Sequence, residues 1–149
     1  MPVFTPFSND YRDLNLEAVP AYAKYLKENG INAVLVTGTT GEGVSLNLEE
    51  RKELSKAWVL AAKPLKMFVT VVVGAGLPST DNFKLVEYLE VFKVDAIMVL
   101  PYLYYTASTA KKAVRDMKQI SEYAPETPIL YYDNPKQTGV SCGYLYILF

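Results

Sequence analysis

Short runs of apolar, mostly β-branched residues recur along the chain, and a segment with helical periodicity separates most of them. Residues 67–73 show the pattern best, because both faces of that run are almost entirely apolar and Gly74 follows it. Such a strand is typical of a parallel sheet that is covered on both faces. The other predicted strands cover residues 31–37, 94–100 and 129–132, and residues 1–7 read as the end of a first one.

The intervening segments predict four amphipathic helices. The first ends at Asn29-Gly30, a natural helix stop. The second begins at Asn47, and Glu50 three residues later completes a capping-box pattern. Ser79 or Thr80 is expected to cap the third helix, and Ser108 or Thr109 to open the fourth.

This alternation of strand and helix predicts an α/β fold built from βαβ units, and two architectures fit it. One is a flavodoxin-like doubly wound sheet, complete in five strands. The other is the first part of a (β/α)8 barrel, which normally needs about 250 residues. In both, ligands bind at the carboxyl ends of the strands. Candidate side chains at those ends are Thr39, Thr40, Tyr102, Tyr104, Tyr105 and Tyr132.

Composition excludes several classes of function. The 149 residues contain no histidine, so acid–base chemistry falls to Tyr, Lys, Asp, Glu or a substrate group. A net charge of −1 without long charged runs argues against a nucleic-acid or membrane partner. The single cysteine, Cys142, excludes an internal disulfide. We therefore expect a cytoplasmic protein with a small-molecule partner and with neither a cofactor nor a metal ion.

The loop from Gly38 to Gly43 directly follows a predicted strand and contains Thr39 and Thr40 between glycines. Glycine allows a tight turn and close approach of a ligand to the backbone. Backbone N–H groups beside two hydroxyls suit a carboxylate or phosphate oxygen. The alternative interpretation is an ordinary turn between a strand and a helix.

Four motifs in this order resemble those of the pyruvate-dependent class I aldolases, the family of dihydrodipicolinate synthase and N-acetylneuraminate lyase. They are Thr5-Pro6-Phe7, the segment Gly38-Thr39-Thr40-Gly41-Glu42-Gly43 with Ser45-Leu46 and Glu50-Arg51, Pro101-Tyr102, and Tyr131-Tyr132-Asp133-Asn134-Pro135 with Thr138-Gly139. The resemblance implies a (β/α)8 TIM barrel truncated after about five strands. Residues 1–140 would be its N-terminal part, and residues 141–149 an atypical apolar tail.

The resemblance also implies roles for individual residues. Thr39 and Thr40 would hold the carboxylate of pyruvate or another 2-keto acid. Tyr132 would relay a proton between the aldol oxygen and that carboxylate. The family's Schiff-base lysine lies on a sixth strand, beyond the five predicted here, so we expect this chain to be inactive. Lys136 reads as a solvated loop charge, and the family is homotetrameric.

Details within the motifs favour the branch of the family that cleaves N-acetylneuraminate to N-acetylmannosamine and pyruvate. The sequence Gly43-Val44-Ser45-Leu46 resembles that branch, whereas Leu103 and Gln137 depart from the synthase pattern. One alternative is another pyruvate aldolase such as the synthase. Another is a catalytically dead fragment that associates with full-length subunits. A complete flavodoxin-like binding module is a further alternative.

Overall fold

The structure, a computed structural model, describes residues 1–74, 76–100 and 110–138. Four strands and five helices alternate in these ranges, together with two short 3-10 turns at Gly43–Ser45 and Lys63–Leu65. The strands are β1 (Ala33–Val36), β2 (Phe68–Val73), β3 (Ala96–Val99) and β4 (Ile129–Tyr131). The helices are α1 (Ala18–Glu28), α2 (Leu48–Ala62), α3 (Ser79–Val91), α4 (Ala110–Tyr123) and α5 (Pro135–Thr138).

The strands form one parallel sheet in the order β1-β2-β3-β4, so every strand lies next to its neighbour in the chain. A flavodoxin-like sheet reverses its strand order part-way. Sequential parallel strands with a helix in each crossover are the arrangement of a (β/α)8 barrel. Strand order therefore decides between the two architectures that the sequence left open.

The first predicted strand is present only as a bridge. Pro2 pairs in parallel with Leu35, and the Leu35 N–H donates to the Met1 carbonyl over 2.8 Å. The Val3 N–H in turn donates to the Leu35 carbonyl over 3.1 Å. The segment thus lies beside β1 as expected, but it pairs with β1 through this single bridge and is not a full strand.

The two faces of the sheet pack differently. One face belongs to the main core, in which Val34, Val71 and Ile97 lie under the helices. Trp58 of α2 is fully buried in this core, and its ring meets Tyr22 edge-on at 5.4 Å between centroids. The opposite face carries a small second cluster, formed by Val72 and Leu100 with Leu35 and Met98 against them.

The predicted capping box of α2 is confirmed. Glu50 N–H donates to Asn47 Oδ1 over 3.0 Å, and Asn47 N–H donates to Glu50 Oε2 over 2.8 Å. The predicted cap of α3 by Ser79 or Thr80 is wrong. The N-cap position is Pro78, whose ring offers no acceptor, and Ser79 is already helical.

Instead, the turn before α3 is held by Asn82, which is fully buried. Its side chain accepts the Gly74 N–H over 2.9 Å and donates to the Leu77 carbonyl over 3.0 Å. In the described ranges, no helix has the length and hydropathy to cross a membrane. Ser108, Thr109, three of the candidate tyrosines and the predicted tail at 141–149 lie outside the described residues.

Replacing the cap of α2 should destabilise the fold measurably. We expect Asn47→Ala to lower the free energy of unfolding by about 1 kcal/mol, because Glu50 N–H loses its acceptor. Ser79→Ala is the matched control, since Ser79 caps nothing through its side chain and should change stability by less than about 0.5 kcal/mol. Urea denaturation followed by far-UV circular dichroism would measure both. Equal effects of the two substitutions would contradict the assignment.

Candidate active site

The loop after β1 presents a set of hydrogen-bond donors at the carboxyl edge of the sheet. Thr39 and Thr40 are both exposed there. Within the described residues, neither their hydroxyls nor their N–H groups donate a hydrogen bond. Two hydroxyls and two amides are thus free to meet an oxygen-rich ligand.

Not every amide of the loop is available, however. The N–H groups of Gly41 and Gly43 both donate to the Gly38 carbonyl over 3.1 Å, and Glu42 N–H donates to the Thr39 carbonyl over 3.1 Å. The sequence led us to expect outward-facing N–H groups along the loop. For these three residues the expectation is wrong, because the loop closes on itself in consecutive tight turns.

Two buried threonines fix the base of the loop. Thr37 has a left-handed backbone (φ 58°), and its hydroxyl lies 2.7 Å from the Val36 carbonyl and 3.0 Å from that of Val72 on β2. Thr5 donates from Oγ1 to the Gly41 carbonyl over 2.5 Å. The loop is therefore tied both to the neighbouring strand and to the amino-terminal segment.

The glycine at position 43 is required by space. A Cβ atom there would lie 1.9 Å from the Thr37 carbonyl oxygen, far inside contact distance. At Gly38 the situation differs, since a Cβ would meet only Leu35 and Val72 side-chain atoms at 3.7 and 3.8 Å. The close approach of Gly43 to Thr37 is what folds the loop back over the end of β1.

Arg51 of α2 is buried and bonds to the segment that follows the loop, and the sequence motif alone did not indicate this. It is 1% exposed, and its Nε donates to the Leu46 carbonyl over 3.1 Å. Burial lowers the pKa of Arg51 to about 10, so it remains a cation at neutral pH. Its position in the sequence does indicate burial. Arg51 lies three residues before Leu54 and seven before Trp58, on the buried stripe of α2.

Tyr132 directly follows β4 and is 42% exposed. Its N–H donates to the Val99 carbonyl over 3.0 Å, which extends the β3–β4 pairing by one residue. Since Tyr131 pairs with Val99 of the main core, alternation places Tyr132 on the opposite face, the face of Leu130 and Met98.

The loop and Tyr132 therefore share one edge and one face of the sheet. Gly38 rests over Leu35 and Val72 of the second cluster, which lies on the same face as Tyr132. The two groups are separated by three strand spacings of about 4.8 Å each, because β1 and β4 are at opposite ends of the sheet.

Other predicted groups are placed as follows. Lys136 is exposed on α5, a short helix that the sequence did not predict. Tyr102, Tyr104 and Tyr105 fall outside the described residues. Within the described ranges, no three His, Cys, Asp or Glu side chains are placed together to hold a metal ion.

The pattern of the whole sequence matches a known family. A model of the dihydrodipicolinate synthetase family matches residues 1–145. The chain belongs to the dihydrodipicolinate synthetase family. This membership confirms the family that the ordered motifs indicated.

Individual relatives agree with the family match. N-acetylneuraminate lyase A of Xenopus laevis is 34% identical over 139 residues, which are 93% of this chain and 45% of the relative. The solved N-acetylneuraminate lyase (sialic acid aldolase) of Aliivibrio salmonicida superposes with a TM-score of 0.87 at 28% identity, covering 95% of this chain and 46% of the other. A variant of the 2-keto-3-deoxygluconate aldolase of Sulfolobus solfataricus, solved with pyruvate, has a TM-score of 0.81 at 31% identity and covers 94% of this chain and 45% of the other.

These similarities confirm the fold class, an α/β chain with the parallel sheet of an aldolase TIM barrel. The chain spans less than half the length of each of these relatives. The described residues therefore form an arc of the barrel sheet, four strands wide, with loops at its carboxyl edge.

The two glycines that begin and end the loop should respond differently to the same substitution. We expect Gly43→Ala to lower the free energy of unfolding by about 1–3 kcal/mol, because its Cβ would overlap the Thr37 carbonyl. Gly38→Ala should cost less than about 1 kcal/mol, since its Cβ makes ordinary contacts. Urea midpoints measure both, and an equal loss at the two positions would show that the loop does not close on Thr37.

Proposed function

We propose that this chain carries the keto-acid-binding part of an N-acetylneuraminate lyase-like aldolase site. The observation that carries the proposal is the set of unengaged donors of Thr39 and Thr40, at the same edge and on the same face as Tyr132. Family membership supports an aldolase, and relatives named N-acetylneuraminate lyase support this branch.

Thr39 and Thr40 would bind the carboxylate of the keto acid. A carboxylate only accepts hydrogen bonds, and the two hydroxyls and two N–H groups are donors that no described group uses. Hydrogen bonds to a charged group contribute about 1.5–3 kcal/mol each, more than those between neutral groups. The pyruvate bound in the Sulfolobus solfataricus relative offers the same carboxylate.

Tyr132 would move the proton. Cleavage of the carbon–carbon bond of a sugar acid requires the hydroxyl of the aldol to lose its proton as the bond breaks. A phenol can donate one hydrogen bond and accept another, so it can pass that proton toward the substrate carboxylate. The chain has no histidine to do this instead.

The substrate proposed is N-acetylneuraminate, which would be split into N-acetylmannosamine and pyruvate through a Schiff base. The segment Gly43-Val44-Ser45-Leu46 and the glutamine at position 137 support this branch over the synthase. The Schiff-base lysine of the family matches no residue in the motifs of this chain. We therefore propose that these 149 residues alone bind a keto acid without cleaving it. A homotetramer and a cytoplasmic location belong to the same proposal.

Binding of pyruvate tests the carboxylate site directly. We expect pyruvate to shift the amide resonances of Thr39 and Thr40 in a ¹⁵N-labelled sample, with a Kd on the order of 1 mM or weaker. Thr40→Val keeps the shape but removes the hydroxyl, and should weaken binding about tenfold. Thr80→Val, an exposed position at the start of α3, is the matched control and should leave the Kd unchanged. Shifts that are absent from the loop would refute the carboxylate assignment.

Trapping with borohydride tests the chemistry. The chain is incubated with pyruvate, reduced, and its intact mass is measured. We expect no adduct, because Lys136 is exposed on α5 and the family's Schiff-base lysine matches no residue in the motifs of this chain. A stoichiometric adduct would show that a lysine of this chain forms the imine, and peptide mapping of that adduct would examine Lys136 first.

A further inference from the structure

A cavity lies at the opposite edge of the sheet from Thr39 and Tyr132. It has a volume of about 340 Å³, near the lower end of the range for small-molecule sites. Its walls come from residues just before three strands, among them Asn32 before β1, Met67 before β2 and Asp95 before β3. β2 is 6 residues long, so about 17–20 Å separates the two edges.

The floor of this cavity is apolar. Val59 of α2, Met67 and Val69 are buried residues of the main core that line it. Phe68 lines it too and is 45% exposed. A ligand with a short hydrocarbon body could cover this surface and remove it from water.

The rim of the cavity is cationic. Its lining includes three lysines, Lys63, Lys66 and Lys93, and one carboxylate, Asp95. The Asp95 Oδ2 already accepts the Val69 N–H over 2.7 Å, so part of its capacity is used within the fold. Lys93 is engaged by Glu126 at 2.6 Å and approaches Glu90 at 3.8 Å.

The other two lysines lie at the two ends of one backbone turn and have no such partner. The turn Lys63–Leu65 ends with Lys66 N–H donating to the Lys63 carbonyl over 3.1 Å, and Lys66 has a left-handed backbone (φ 52°). In the described part of the chain, neither side chain makes an ion pair. Two lysines that make no ion pair with the described residues therefore line the cavity beside its apolar floor.

We propose that this cavity is a second binding site, for a small amphipathic anion whose phosphate or carboxylate meets Lys63 and Lys66 while its short apolar body covers Val59, Met67 and Phe68. The volume favours a small molecule over a folded partner. Since the cavity lies at the other edge of the sheet, it can be filled independently of the keto-acid site.

The test uses n-butyl phosphate as the probe and the ¹⁵N-labelled 149-residue chain. We expect saturable shifts confined to the amides of residues 66–69 and 93–95, with a Kd on the order of 1 mM. Methyl phosphate carries the same charge on a body three methylenes shorter, and should bind at least about tenfold more weakly. Equal affinity for both phosphates would overturn the role of the apolar floor.

Three variants test the cationic rim. Lys63→Gln and Lys66→Gln should each raise the Kd for butyl phosphate about three- to fivefold. Lys24→Gln removes the same charge from α1, where the side chain is 71% exposed and outside the cavity, and should leave the Kd unchanged. Unaltered affinity in both rim variants, or shifts spread over the surface without saturation, would overturn the proposal.

The same titrations separate this site from the proposed function. Pyruvate should shift Thr39 and Thr40 and leave the resonances of residues 66–69 unchanged. Butyl phosphate should do the reverse. If pyruvate does not shift Thr39 and Thr40, the keto-acid site is refuted and the cavity proposal is unaffected. If butyl phosphate does not shift residues 66–69, the cavity proposal is refuted and the keto-acid site is unaffected.

Discussion

Parallel pairing of strands in chain order is the constraint on which the rest of this structure depends. Each strand must be followed by a return segment to the same starting edge, and right-handed crossovers place the helices on one face of the sheet. That face is filled by the main core around Trp58. Among the described residues, the opposite face carries the small cluster around Val72 and Leu100. The loop after β1 and Tyr132 both lie at the carboxyl edge of that face, three strands apart.

The same topology gives the two edges of the sheet different chemistry. At the carboxyl edge the chain turns tightly, because Gly43 approaches the Thr37 carbonyl, and neutral donors of Thr39 and Thr40 are left exposed. At the amino edge the chain returns from a helix end, where Lys63 and Lys66 surround an apolar floor. The sheet whose carboxyl edge carries the proposed keto-acid site thus also has a cavity lined by lysines at its amino edge.

Much of the fold was predictable from local patterns. Local sequence patterns predicted the capping box of Asn47 and Glu50, the burial of Trp58 and the approximate positions of four strands. The two errors have different causes. The turn before α3 is held by Asn82, which accepts the N–H of Gly74 eight residues earlier, and not by a cap at Ser79. In the loop after β1, the N–H groups of Gly41, Glu42 and Gly43 donate to the carbonyls of Gly38 and Thr39, a backbone conformation that the residue types alone did not specify.

Apolar periodicity and ordered motifs are properties of the linear chain, and they indicated the alternation of strand and helix, the family and the candidate side chains. Tertiary contacts fix the order of the strands, the face that Tyr132 occupies and the burial of Arg51. The physical reason is that hydrogen bonds between strands join residues about 30 positions apart, and no local pattern specifies which strands will become neighbours.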